Sequence, residues 1–114
     1  MQELTKEELL KTYDWVGDPQ EERRRVRKDG KWFHILLNGS PAYFNKRFFR
    51  IRDFHEGLAL VCEGAKGPCY HILLNGQPAY SERFDDGSDF KNGRALMSEN
   101  NEPFHIWTDG KRIY

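Results

Sequence analysis

Three histidines each stand nine residues ahead of a tyrosine: His34 and Tyr43, His71 and Tyr80, His105 and Tyr114. Imidazole accepts protons near neutral pH and ligates metals. Three such rings converging on one ion would make a zinc set of three histidines. Beside them stand five basic residues in the run Glu21-Glu-Arg-Arg-Arg-Val-Arg-Lys28. On a strand, Arg23, Arg25 and Arg27 share a face, with Trp32 opposite Arg27, which suits a cation–π pair or a patch for phosphate or RNA. The two glutamates and a formal net charge of zero make a solvated strand face the expected reading. The candidate binding face is therefore His34, Tyr43, His71, Tyr80, His105, Tyr114, Arg25, Arg27 and Trp32. Cys62 and Cys69 complete the reactive inventory.

The histidines admit three readings. The rings fill space between repeated units, with one nitrogen bonded to a neighbour's backbone carbonyl; or they share a metal; or they line a ligand groove with Tyr and Arg. Their recurrence in every unit favours the first, because repeated positions are inter-unit packing positions. In an open stack the rings would also lie too far apart to share an ion. Catalytic motifs are missing: there is no Gly-x-Ser-x-Gly, P-loop, His-Glu-x-x-His or Gly-x-Gly-x-x-Gly. The expectation is a chain that is not an enzyme and carries no cofactor.

An internal repeat defines the elements that position these residues. His34-ILLNGSPA-Tyr43 recurs as His71-ILLNGQPA-Tyr80 and, more loosely, as His105-IWTDGKRI-Tyr114. Upstream, Asp53-FHEGLAL-Val61 matches Asp89-FKNGRAL-Met97 and, weakly, Asp18-PQEERRR-Val26. The chain reads as a single domain, 1–114, with an N-terminal cap (1–12) and repeats at 13–43, 48–80 and 84–114. The third repeat ends in phase with the last residue, which favours a complete small protein or a clean terminal piece over an arbitrary fragment.

Each repeat reads as a β-meander. Its first turn is Asp29-Gly30, the Gly64–Gly67 loop or Asn100-Asn101; its second is Asn38-Gly39, Asn75-Gly76 or Asp109-Gly110. Asn-Gly and Asp-Gly favour type I′ turns, which need positive φ at both central residues. Across the first turns, Arg25 faces His34, Leu60 faces His71 and Leu96 faces His105. Across the second, Ile35 faces Ala42, Ile72 faces Ala79, Ile106 faces Ile113, and the histidines face their tyrosines. Side chains alternate between faces. One face is a core of Val26-Phe33-Ile35-Ala42, Val61-Tyr70-Ile72-Ala79 and Met97-Phe104-Ile106-Ile113; the other carries the histidines. Cys62 faces Cys69, so a cross-strand disulfide is geometrically open, although two free thiols are expected in a reducing cytoplasm. Thr5-Lys-Glu-Glu8 before Leu9-Leu10 is a capping box, which predicts a short helix over 5–12 that caps the stack.

The order aromatic, Asp-Phe-x-Glu-Gly-Leu-Ala-Leu-Val, glycine turn, aromatic-x-Ile, Asn/Asp-Gly and Pro-Ala-Tyr resembles the WG β-repeat proteins. The resemblance covers 13–114 and is strongest in units 2 and 3, with Phe54–Val61 its most specific stretch. No Trp-Gly dipeptide occurs; Trp32-Phe33-His34, Cys69-Tyr70-His71 and Pro103-Phe104-His105 stand in its place. Unit 1 replaces Phe-x-Glu-Gly-Leu-Ala with Pro19-Gln-Glu-Glu-Arg-Arg24. This would be a His-bearing branch. The resemblance implies a mostly bacterial β-repeat scaffold for protein interaction and brings no catalytic residues.

The expected architecture is an all-β repeat protein of three tandem β-meander units of about 35 residues, each with three main strands and room for a short fourth near 48–52. The units would form a solenoid-like stack or part of a propeller. Propellers take about 4–8 blades, so three cannot close a ring, whereas two chains would supply six; hence a homodimer is an open expectation. The charge balance points away from nucleic acid, and no apolar run approaches the roughly 20 residues of a membrane helix. The N-terminus lacks a secretory pattern, and two cysteines are too few for a disulfide scaffold, so the cytoplasm is expected. The function expected is a non-enzymatic interaction or scaffold module with a protein partner; the alternative is a small-ligand or metal-binding protein on the His/Tyr face.

Overall fold

The structure is a computed structural model and describes residues 3–44 and 46–113. It is almost entirely β. Three three-stranded antiparallel sheets succeed one another along the chain. Unit 1 holds β1 (Trp15–Val16), β2 (Arg23–Lys28) and β3 (Lys31–Leu36). Unit 2 holds β4 (Arg50–Ile51), β5 (Ala59–Cys62) and β6 (Cys69–Ile72). Unit 3 holds β7 (Asp86–Gly87), β8 (Arg94–Glu99) and β9 (Glu102–Trp107). The body measures 46 × 26 × 20 Å, an open row rather than a ring.

The first hairpin of each unit has the expected register: Arg25 pairs His34, Leu60 pairs His71 and Leu96 pairs His105. Asp29-Gly30 and Asn100-Asn101 have positive φ at both central residues, the type I′ requirement. The second turn differs. Among Asn38-Gly39, Asn75-Gly76 and Asp109-Gly110, only the glycines have positive φ, so each turn is a longer loop closed by one left-handed residue. The register slips by one, to Ile35 opposite Pro41 and Ile72 opposite Pro78. The return segment makes that single bridge and forms no strand. The short segment near 48–52, read as an optional fourth strand, is instead the edge strand β4 and pairs Ile51 with Val61.

The glycine of that turn is required by its neighbour. At Gly76 (φ 87°) a Cβ would stand 2.6 Å from Tyr43 Cβ, and at Gly110 it would meet Tyr80 nearly as closely. Over Gly39 the same place is taken by Leu4 and Leu9. The N-terminal segment thus stands in for a preceding unit. Its helix α1 (Lys6–Leu9) is shorter than the expected 5–12. The capping box is fully formed: Glu8 N–H donates to Thr5 Oγ1 at 3.1 Å and Thr5 N–H donates to Glu8 Oε1 at 3.0 Å.

The core runs the length of the row. Val26, Phe33 and Ile35, Val61 and Ile72, and Met97 and Ile106 are buried, as the alternation predicts, while Phe104 is only half-buried. In unit 2 the second face is buried too: β5 and β6 have no exposed residue. Among the described residues no helix is long and apolar enough to cross a membrane.

Candidate functional site

The repeated histidines sit at the junctions between units. His34 is 1% exposed and His71 not at all. His34 Nδ1 lies 2.8 Å from Tyr43 Oη, and its Nε2 lies 2.8 Å from the carbonyl of Arg52 in the next unit. His71 repeats the pattern, with Tyr80 Oη at 2.6 Å and the Ser88 carbonyl at 2.8 Å. The chemistry assigns the protons. A carbonyl only accepts, so Nε2 carries the hydrogen and donates; Nδ1 then accepts from the tyrosine hydroxyl. That hydroxyl also accepts from the histidine's own backbone N–H, at 3.1 Å in both units. Burial presses both imidazoles down to about 4, more than the carbonyl bonds offset. Burial likewise raises both tyrosines well above their usual value. The rings are neutral at pH 7, and neither has a free lone pair to offer a metal or a substrate proton.

Arg25 is also a junction residue. Its Nε donates to Asp53 of unit 2 at 2.8 Å, and its guanidinium lies 5.1 Å from the Trp15 ring and 5.9 Å from Trp32. The cation over Trp32 is therefore Arg25, not the expected Arg27, which is exposed. His105 is exposed, and Tyr114 lies outside the described residues. The nine candidate residues do not form one surface. His34, Tyr43, His71 and Tyr80 are interior; Arg27 and His105 are outside.

Sequence reading passed over the residues that cover the histidines. Phe54 of unit 2 lies 4.4 Å from the His34 ring, and Phe90 of unit 3 lies 4.5 Å from the His71 ring. The glutamate of the same motif reaches the other way. Glu56 accepts from Asn92 N–H at 2.6 Å and Gly93 N–H at 2.9 Å, in the turn of unit 3. These bonds hold its carboxyl below the usual value, Gly93 contributing most. Glu21 accepts from Gly57 N–H at 2.7 Å in the same way. Both glutamates thus cap a turn of the next unit along the chain. In Phe-x-Glu-Gly, the phenylalanine docks backward, the glutamate grips forward, and the glycine supplies the left-handed turn. The signal was in the motif; what was missing was the partner 36 residues away.

A family model described as a WG containing repeat matches residues 6–32. Over that stretch the chain is similar to the WG-repeat family. No curated protein and no solved structure matches it. The matched stretch lies mostly in unit 1, although the motif resemblance is strongest in units 2 and 3.

Among the described residues, the face of unit 3 that corresponds to those junctions is exposed. Unit 3 carries Leu96 and His105 where unit 2 carries Leu60 and His71. Leu60 is 1% exposed but Leu96 is 45% exposed, and Trp107 is 47% exposed. Beside them is an open cleft of about 450 Å³ whose lining includes Arg52, Asp89, Phe90, Arg94, Leu96 and His105. Asp89 occupies the position of Asp53, but Leu60 replaces the arginine that would meet it. Its Oδ1 is buried with no hydrogen-bond partner among the described residues, and Arg52 Nη1 stands 3.8 Å from Oδ2.

Cys62 and Cys69 form a disulfide, which overturns the expectation of free thiols. That expectation rested on compartment, whereas the register puts the two residues directly opposite with their Cα atoms 4.1 Å apart. They exchange no backbone hydrogen bonds with one another, and such pairs are the narrow ones of an antiparallel ladder. Asp86 lies within 4.8 Å of both sulfurs. The sulfurs are already bonded, and Arg50 pairs with Asp86 at 3.1 Å, so the group as it stands is no metal site. Because the bond closes a loop between residues only seven apart, its reduction is expected to lower stability by about 2 kcal/mol. Thermal melts with and without reductant check this; identical melting temperatures would count against the pairing.

Proposed function

We propose that the chain is a non-enzymatic protein-interaction module. The observation that carries this reading is the exposed end of unit 3. The face that units 1 and 2 bury against a neighbour is there open, with Leu96 and His105 toward solvent and the exposed Trp107 beside them. Exposed apolar and aromatic side chains grouped on one face suit a protein partner. The rival reading, a ligand or metal on the repeated His/Tyr pairs, has less support because two of the three pairs are interior and hydrogen-bonded throughout. The disulfide suits an oxidising compartment better than the cytoplasm expected from the sequence.

Native mass spectrometry of the purified protein tests the reading. The expected spectrum contains masses of protein alone, as monomer or as homodimer. A bound metal or small molecule that disappears with a chelator, or in His71→Ala, would replace the module by the rival.

A further inference from the structure

We propose that the open end of unit 3 is a receptor for an extended acidic segment of a partner protein that carries an aromatic residue, of the Asp-Phe kind. The proposal rests on the interaction-module reading and gives that module a ligand chemistry.

The chain contains two occupied examples of this receptor. On unit 1, Phe54 stands 4.4 Å from the His34 ring with the Arg23 guanidinium 5.8 Å from its own ring. Asp53, just before it, meets Arg25 at 2.8 Å, and the carbonyl of Arg52 receives His34 Nε2 at 2.8 Å. On unit 2, Phe90 and the Ser88 carbonyl take the same positions on His71. The ligand in both is one short segment with a carbonyl that accepts from the histidine, an aspartate, a phenylalanine and then a turn.

Unit 3 presents the receptor as unit 2 builds it, with Leu96 where unit 1 has Arg25. Arg94 pairs Trp107 as Arg23 pairs Leu36, and Leu96 pairs His105 as Leu60 pairs His71. An aromatic ring on His105 would lie near Arg94, as Phe54 lies near Arg23. The rim supplies the charge preference. Arg52, Lys91 and Arg94 line the cleft, and the one carboxylate among its lining residues, Asp89, already faces Arg52 at 3.8 Å. An acidic segment complements this rim.

A second copy of the chain is a poorer occupant. Its own Phe54 and Phe90 are 1% and 0% exposed in their internal sockets. The head of its unit 1 has Pro19 where the phenylalanine would be, and Asp18 is paired with Lys6 at 3.3 Å. Unit 3 also has Asn92 where Glu56 would grip the next turn. The end keeps the aromatic socket but lacks the forward clamp of the internal junctions, which suits a short segment more than a whole further unit.

The test uses the full chain and a capped peptide of its own sequence Arg-Asp-Phe-His-Glu-Gly, residues 52–57, monitored by isothermal titration. Saturable binding is expected. Phe→Ala in the peptide should weaken it at least roughly tenfold, and Leu96→Asp or Arg94→Glu in the protein should weaken it similarly. Both protein positions are exposed, so their melting temperatures should hold. Absence of saturable binding, or binding indifferent to both protein substitutions, overturns the proposal. So does a concentration-dependent dimer that Leu96→Asp abolishes, which would give the end to a second copy. Failure of the peptide with a clean protein mass removes this proposal alone, whereas a chelator-sensitive adduct removes the module reading beneath it.

Discussion

Acidification from pH 6.5 to pH 4 is expected to remove about 6 kcal/mol of folding stability, through two residues. His34 and His71 titrate near 6.5 when unfolded and at about 4 when folded. Above 6.5 both states hold the rings neutral and nothing is lost. Between 6.5 and 4 the unfolded chain takes up protons that the folded chain refuses, so stability falls as pH falls. Below 4 this contribution is constant. Each histidine accounts for about 3 kcal/mol, and a domain of this size typically has about 5–15 kcal/mol in total. Mild acid is therefore expected to unfold the chain. Desolvation is the main cause at both sites, and at His34 the Arg25 and Arg23 charges add to it. Carboxylates such as Glu56, held below their ordinary value, act in the same direction but at lower pH. Denaturant melts at intervals from pH 7.5 to 4 separate the two windows. A stability flat from pH 7 to 5 would refute the buried neutral imidazoles.

The physical basis for this was half legible in the sequence. The repeat, the first-hairpin register, the capping box and the core alternation all depend on local rules: period 2 along a strand, Asp-Gly at a turn, Thr and Glu three apart. Those rules work on neighbours in sequence, and the structure agrees with them. What alternation does not reveal is what lies on the other side of a sheet. Arg25-His34-Tyr43 and Leu60-His71-Tyr80 read as a polar second face, and for an isolated sheet that face would be wet. In a row of sheets it is covered by Phe54 and Phe90, each from the next unit along the chain. The same gap explains the second turn. Asn38-Gly39 has the composition of a two-residue type I′ turn, but Tyr43 must reach back to the His34 ring and Tyr80 to His71. The longer loop, with only glycine at positive φ, delivers that reach. The cysteines illustrate the opposite case. Their register was readable, and an assumption about compartment outweighed it.

The junction reading can be tested one histidine at a time. His71→Ala is expected to cost about 3–5 kcal/mol, while His105→Ala, the same substitution at the same register position, should change stability by no more than about 0.5 kcal/mol. The difference is entirely environment. Removing the His71 ring takes the acceptor from the Tyr80 hydroxyl and the donor from the Ser88 carbonyl, both at a buried junction. Each unmet polar group there costs roughly 1–3 kcal/mol. It also strips Phe90 of the ring 4.5 Å away and leaves a void between units 2 and 3. His105 is exposed, and no hydrogen bond from its ring to a described residue is present. Chemical denaturation of the two variants beside the parent decides the matter. Equal losses would mean that His105 also builds a junction and that the end of unit 3 is not open. A small loss at His71 would mean that the repeated imidazole is not what joins the units. The expected asymmetry instead assigns one residue type two roles, a fastener inside the row and a free binding surface at its end.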